Sequence, residues 1–329
     1  MFADTLLAWY EENRRSLPWR GETDPYRIWV SEIILQQTRV QQGWDYYLRF
    51  IETFPDVGAL ARAPEEQVLR VWQGLGYYSR ARNMHAAAQQ IMTDHGGRFP
   101  DQYEDIRRLK GIGDYTAAAI ASIAFGLPYP AVDGNVLRIC SRIFGICEDI
   151  ALPATRKQIT DICRKHIPLN SPGDFNQACM EFGAVWCTPK NPKCDECPFV
   201  NQCYALKHSV VETLPVKSDR ISKRERYFHY DFYIYNNCTI LEKRTGNDIW
   251  RNLYQFPMHE SIGPAYHGGP AKIMELKEIL THQIIHAFFY LKKPKKKPEL
   301  SGNQILVPLD QLHDYPMPKI MTQFFDNMS

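Results

Sequence analysis

The chain lacks a strong excess of charge of either sign. Its 39 Lys and Arg stand against 37 Asp and Glu, with 23 against 24 in residues 1–207 and 16 against 13 in the remainder. Global charge therefore predicts no polyanion binding, and any such affinity has to come from local basic patches and oriented backbone amides. Also missing is any apolar run near the ~18 residues of a membrane span. The opening residues MFADTLLAWYEE are acidic where an export signal would be basic. The expectation is a soluble, intracellular protein with no membrane partner. A paired set of cysteines is absent too: nine is odd, which without an export signal argues against a disulfide framework. What the chain does have is 329 residues with 44% apolar content, ample for two packed domains.

The stretch from Leu109 to Arg142 carries the strongest signals. Gly111 and Gly113 flank Ile112, and the Ala-rich run Thr116–Ala124 follows. This reads as a tight hairpin feeding a helix, with glycines that permit close backbone approach. Amides at such a helix start suit a phosphate oxygen, a contact blind to base sequence, although a Gly-capped turn between helices has the same pattern. Past Pro128 and Pro130, Asp133 stands as N-cap or first-turn residue of the helix VLRICSRIF. Held ionised there by the dipole and backbone donors, its carboxylate can oppose a positive charge forming on a substrate.

Earlier in the chain, apolar spacing predicts helices over 3–15 and from Asp24-Pro25 through about Val40. Ile28, Glu32, Leu35 and Gln36 share a face of the second, which sets a carboxylic acid in an apolar stripe. Burial there raises its pKa and lets it hold a proton to donate; a solvated place at the stripe's edge is the alternative. Further helices are predicted over 42–54, 65–72, 84–95, 136–145, 154–166 and 174–186, with no sustained strand pattern before Tyr227. The turn Gly74-Leu75-Gly76-Tyr77-Tyr78-Ser79, followed by Arg80 and Arg82, presents aromatics beside bases. That suits a wedge entering a duplex, or simply a core contact.

Cys187, Cys194, Cys197 and Cys203 form the pattern Cys-x6-Cys-x2-Cys-x5-Cys on a loop with prolines at 189, 192 and 198. One Cys-x2-Cys pair with single cysteines outside it fits a compact [4Fe-4S] cube better than the two paired knuckles usual for zinc. Lys190 and Lys193 on that loop are placed to reach phosphate. Residues 208–226 read as a charged linker. Beyond them come an alternating aromatic run with a hairpin turn at Asn236-Asn237, a helix over about 270–281 and further strand-like runs. The basic run Lys292 to Lys297 reads as a solvated loop or a phosphate patch.

The hairpin LKGIGDYTAAAI, the loop after it and VDGNVLR resemble the helix-hairpin-helix DNA glycosylase superfamily, and more narrowly the MutY-type adenine DNA glycosylases. The resemblance is dense from about Leu17 to Cys203 and looser beyond. It implies a mainly α N-terminal region, the helix-hairpin-helix glycosylase fold with two helical subdomains and a [4Fe-4S] loop, followed by a small α/β Nudix-like C-terminal domain. The implied boundaries are 1–207 for the catalytic region, 208–226 for the linker and 227–329 for a lesion-recognition domain. Within the first, a six-helix subdomain spans about 25–135, and an iron-sulfur subdomain is built from 1–24 and 136–207. The Nudix hydrolase signature is absent between Phe256 and Leu280, so the C-terminal role would be recognition.

Carried over residue by residue, the resemblance makes Glu32 the acid that protonates adenine N7. Asp133 becomes the group that stabilises the sugar cation, electrostatically or by transient covalent attachment. Trp19, Arg20 and Gln177 would line the adenine pocket, Gln37, Thr38 and Leu75 would contact the orphan 8-oxoguanine, and Tyr77 would be the wedge. Tyr115 stands among the catalytic candidates at the place where an endonuclease III-type lyase carries an amine. A phenol forms no Schiff base, which favours a monofunctional enzyme. The family's Phe-Ser-His element for 8-oxoguanine is matched to Ile284-Ile285-His286, where Ile285 cannot hydrogen-bond, so weaker discrimination is expected. The implied partner is double-stranded DNA with an A:8-oxoguanine or A:G mispair, bound by a monomer, with other repair proteins left open. The implied place is the cytoplasm, at the nucleoid in a bacterium. The competing readings are a bifunctional glycosylase/lyase for oxidised pyrimidines and a non-catalytic iron-sulfur DNA-binding protein.

Overall fold

The computed structural model describes residues 2–36, 38, 40–218, 222–264 and 272–328. The described helices of the first two thirds are α1 (Phe2–Asn13), α2 (Pro25–Leu35), α3 (Val40–Thr53), α4 (Val57–Arg62), α5 (Glu65–Val71), α6 (Ser79–Asp94), α7 (Tyr103–Arg108), α8 (Asp114–Phe125), α9 (Gly134–Phe144), α10 (Pro153–His166), α11 (Pro172–Val185) and α12 (Tyr204–Lys207). The helix predicted from Pro25 to about Val40 is shorter than expected, since α2 ends at Leu35, and the helix predicted over 42–54 is α3, which begins at Val40. Contacts divide the chain into two compact units, Met1–Ala61 with Ala86–Asp219 and Arg62–His85 with Arg220–Ser329. Residues 62–85, which the sequence groups with the helical region, thus belong by contact with the C-terminal residues.

In the helical unit, Asp24 caps α2 by accepting from the Tyr26 amide at 2.9 Å, and Pro25 supplies a first residue that needs no donor. Every residue from Ile28 to Ile34 is buried, so α2 is apolar nearly all round and lies inside the unit rather than on it. A polar residue on such a helix is dry by construction. A second core gathers Phe2, Leu6, Trp9 and Tyr10 of α1 against α9, α10, α11 and Phe199, with three of the loop cysteines packed on its edge. Two glycines let α11 approach its neighbours closely. A Cβ on Gly173 would stand 2.9 Å from the Ile123 Cα of α8, and one on Gly183 would stand 2.6 Å from the Asn135 Cβ of α9. α11 is thereby drawn against both helices that follow the hairpin and the Asp133 loop.

The second unit holds β1 (Arg224–Tyr233), β2 (Cys238–Lys243), β3 (Tyr254–Gln255), β4 (Met258–Ser261), β5 (Lys272–Ile279), β6 (Gln283–Lys292), β7 (Gln304–Pro308), a 3-10 turn (Leu309–Asp314) and α13 (Lys319–Asp326). One sheet has the order β4-β1-β6-β5 with β1 and β6 parallel; the other has β3-β2-β7. Phe228, Tyr230, Phe256, Phe289 and Phe324 fill its core, Phe289 stacking on Phe324 at 4.4 Å. The segment 62–85 is tied in by Tyr78 Oη donating to the Met317 carbonyl at 2.9 Å and by the Met317 amide donating to Gln73 Oε1 at 3.2 Å.

Three expectations are corrected in this unit. The helix over about 270–281 is strand β5: Met, Glu, Leu and Lys favour helix, but alternate residues are covered and β6 supplies the ladder. Asn236 and Asn237 do turn with positive φ, yet β1 and β2 enter different sheets beyond the Tyr235–Cys238 bridge. The linker ends sooner than 226, because β1 begins at Arg224 and Arg226 is buried between Asp248 and Glu260.

Gly183→Ala tests the close approach of α11. The new methyl group has no room against Asn135, so we expect a loss of about 1–3 kcal/mol of unfolding free energy in denaturant titration. An unchanged midpoint would show that the α9 start yields freely.

Candidate active site

Glu32 lies on the buried helix α2 and is 9% exposed. Tyr115, in the first turn of α8, donates its hydroxyl to Glu32 Oε2 at 2.7 Å. Burial pushes the Glu32 pKa above its ordinary 4.5; the Tyr115 hydrogen bond and the Arg20 charge pull it back, and Asp133 pushes it further up. Burial holds the Tyr115 hydroxyl well above the ordinary phenol range, with the charges of Glu32 and Asp133 adding to it. The phenol therefore keeps its proton and acts as a hydrogen-bond donor.

Asp133 caps α9. Its Oδ1 accepts from the Val136 amide and its Oδ2 from Asn135 Nδ2, both at 2.8 Å. The donors expected from the sequence are present, but desolvation outweighs them and leaves the Asp133 pKa raised. The loop before it is stapled by buried Asn176, whose Oδ1 accepts from Ala131 N at 2.9 Å while its Nδ2 donates to the Tyr129 carbonyl and Ser122 Oγ, each at 2.8 Å. Glu32, Tyr115 and Asp133 thus come from three elements and sense one another's charge in one dry region. That arrangement offers a proton donor and an anion to the same bound group.

Arg20 donates to Gln177 Oε1 through one Nη and to Glu181 Oε2 at 2.9 Å through the other. Burial alone would raise the Glu181 pKa, but the Arg15 hydrogen bond and the charges of Arg20 and Arg15 hold it below the usual range. Trp19 is buried edge-on to Tyr47 at 5.5 Å and to Trp44 at 6.3 Å. Thr38 donates its amide to the Leu35 carbonyl at 3.3 Å. Gln37 lies outside the described residues. In the hairpin, Gly111 has φ +78° and Gly113 is the N-cap of α8; both are exposed while Ile112 between them is buried. The hairpin accordingly turns its backbone to solvent, the condition a phosphate contact needs.

The second unit holds a cavity of about 540 Å³ lined by Leu75, Tyr77, Trp250, Leu280, Thr281, His282 and Gln283. Tyr77 has φ +45° and is 47% exposed, and its hydroxyl meets Thr281 Oγ1. A bulky residue in the left-handed region is costly and marks a place where backbone strain serves a purpose. His286 is elsewhere. It sits on β6, stacks on Tyr227 at 4.8 Å and faces Glu225, while Ile285 is fully buried. Ile285 and His286 thus do not line the cavity beside Leu75 and Tyr77.

Cys187, Cys194, Cys197 and Cys203 line one cavity with Phe182, Trp186, Ile143 and Arg142. Arg142 is buried and donates to Cys187 Sγ at 3.4 Å and to the carbonyls of Thr188, Pro189 and Leu214 at 2.7, 3.2 and 3.0 Å. A buried cation on a thiol, with Lys193 and otherwise apolar side chains completing the wall, suits an anionic thiolate-ligated cluster. No three His, Cys, Asp or Glu side chains among the described residues converge as ligands of a single ion. The four cysteines would hold a [4Fe-4S] cluster, which when bound would brace the loop. Arg138 carries that brace toward the site: it donates to the Cys187 carbonyl at 2.9 Å and to Asn135 Oδ1 at 2.8 Å, and Asn135 holds Asp133.

A family model described as HhH-GPD superfamily base excision DNA repair protein matches residues 30–168, and one for the iron-sulfur binding domain of endonuclease III matches residues 187–203. The adenine DNA glycosylase of Buchnera aphidicola subsp. Schizaphis graminum is 36% identical over 258 residues, 78% of this chain and 74% of that protein. The chain belongs to the adenine DNA glycosylase family. The Homo sapiens adenine DNA glycosylase is 40% identical over 222 residues, 65% of this chain and 41% of that protein. Among solved structures, a thermostable thymine-DNA glycosylase has a TM-score of 0.58 at 28% identity, covering 63% of this chain and 95% of that one. An endonuclease III in non-covalent complex with DNA, at TM-score 0.55 and 22% identity over 63% of this chain and 94% of that one, shares the fold.

The sequence offered no role for the residues that hold the site's groups in place: Asn135 and Arg138 lie within VDGNVLR beside Asp133, while Asn176, Met180 and Glu181 lie on α11, and their contacts form only once the helices meet.

Because folded Glu32 keeps its proton to higher pH than an unfolded glutamate, its contribution to stability falls as pH rises from 4.5 through the raised value. Glu32→Gln cannot ionise. Denaturant midpoints of that variant are expected to decline less than the parent's over the interval, and parallel declines would show that Glu32 is not raised.

Proposed function

We propose that the protein removes adenine mispaired with 8-oxoguanine or guanine in double-stranded DNA, as a monofunctional N-glycosylase of base excision repair. The observation that carries the reading is the pairing of a desolvated, proton-holding Glu32 with Asp133 in one charge-coupled region. In the reaction the N-glycosidic bond breaks with its electron pair leaving on the base. Glu32 gives its proton to adenine N7, which stabilises the departing anion, and Asp133 opposes the oxocarbenium-like sugar. Water then adds to C1′ and surrenders a proton, as in other carboxylate-pair glycosidic enzymes. Tyr115 keeps Glu32 oriented, and Trp19, Arg20 and Gln177 shape the adenine pocket. The exposed Gly111–Gly113 hairpin takes a backbone phosphate. One chain supplies every group named, so no second copy is required.

For the orphan base, the cavity of the second unit supports reading the Phe-Ser-His element at Leu280-Thr281-His282, four residues before the earlier match at Ile284-Ile285-His286. Thr281 keeps a hydroxyl and His282 an imidazole beside Leu75 and Tyr77. Hydrogen bonding to 8-oxoguanine is therefore retained, and strong preference over guanine follows.

Single-turnover adenine release tests the pair: Glu32→Gln and Asp133→Asn are each expected to lose at least ~10²-fold. Retained activity in either removes that assignment, and borohydride trapping of the parent should capture no enzyme–DNA adduct. Thr281→Val is expected to reduce the preference for A:8-oxoguanine over A:G by ~1–2 kcal/mol, whereas His286→Ala should leave the ratio unchanged. The opposite ranking would restore the earlier register.

A further inference from the structure

The hydroxyl of Tyr115 lies between two acceptors. Glu32 Oε2 is 2.7 Å away and the thioether sulfur of Met180, on α11, is 3.0 Å away. A phenol has one proton to give, so it serves one acceptor at a time. Donation to Glu32 favours the ionised carboxylate; donation to sulfur, a weak but adequate acceptor, frees the carboxyl to keep its own proton. The groups acting on Glu32 are Tyr115 from α8, Arg20 from the segment after α1 and Asp133 from the start of α9, while α11 presents Met180.

We propose that Met180 is a positioning residue whose sulfur receives the Tyr115 hydroxyl while Glu32 is protonated and releases it when Glu32 becomes a carboxylate. The inference rests on the reading of Glu32 as the acid. As the proton passes from Glu32 to the base, the O–H turns from sulfur to Oε2. Its hydrogen bond becomes charge-assisted at the moment the negative charge appears, so it is stronger in the transition state than in the ground state. The buried hydroxyl is never without an acceptor during the exchange, which removes the cost of stranding it. Packing alone does not ask for sulfur at this place, since a leucine fills nearly the same volume.

The pH profile of single-turnover adenine release tests this. In Met180→Leu the hydroxyl has only Glu32 to bind, so the carboxylate is favoured. The alkaline limb should move to lower pH by about half a unit, an activity loss of about threefold above the limb. Met180→Ile, of different shape, should show the same shift if the sulfur is what matters. In a Tyr115→Phe background neither substitution should move the limb. An unmoved limb in the single variants, or an equal movement in the Tyr115→Phe background, overturns the inference. If Glu32→Gln is inactive while those limbs stay put, the Met180 role alone falls. If Glu32→Gln retains activity, the acid assignment falls with it.

Discussion

A carboxylic acid taken out of water either keeps its proton or must be supplied with donors and cations sufficient to hold its charge. Glu32 stands on a helix that is apolar nearly all round; Tyr115 and Arg20 oppose its neutral form, while burial and Asp133 favour it. The outcome is an acid poised to give a proton up. Everything else in the helical unit serves that condition, because a wetter site would return Glu32 to its ordinary value and leave the leaving base without help. Asp133 has the complementary problem. It is desolvated as well, yet it spends its two oxygens on an amide and a side-chain amide, which favour the ionised form against burial.

The geometry that brings these groups together is a matter of backbone approach. α11 can touch α8 and α9 only because Gly173 and Gly183 carry no Cβ at the crossings. From its other positions it sends Gln177 and Glu181 to Arg20, Asn176 to the loop before Asp133, and Met180 to Tyr115. The start of α9 is gripped from a third direction by Arg138, which ties Asn135 to the carbonyl of the cluster ligand Cys187. Loss of the cluster would therefore loosen the grip on Asp133 without any direct contact between iron and substrate.

Much of this was legible in the sequence, and the reason is locality. The Asp24-Pro25 start, the Gly111–Gly113 hairpin, Asp133 as a cap and the four-cysteine loop are written in residues a few positions apart, where capping, turn and ligand chemistry act. The end of α2 at Leu35 was hidden because the glutamines after it favour helix. Strand β5 was read as helix because Met274, Glu275, Leu276 and Lys277 prefer helix, and only pairing with β6 decides otherwise. The match of the lesion-reading element to Ile284-Ile285-His286 rested on a short motif, which carries no register of its own. The cavity in which Leu75 and Tyr77 meet Thr281 and His282, some two hundred residues later in the chain, is what supports the proposed register. Buried partners such as Asn176 and Met180 are visible only once helices distant in sequence have met.

The central claim is that Glu32 holds its proton because it is buried within reach of Asp133. Titration of the carboxyl carbon of Glu32 by isotope-edited NMR, in the parent and in Asp133→Asn, tests it most directly. The account predicts a midpoint above 4.5 in the parent and a lower one when Asp133 is made neutral. A midpoint at or below 4.5, indifferent to residue 133, would contradict it.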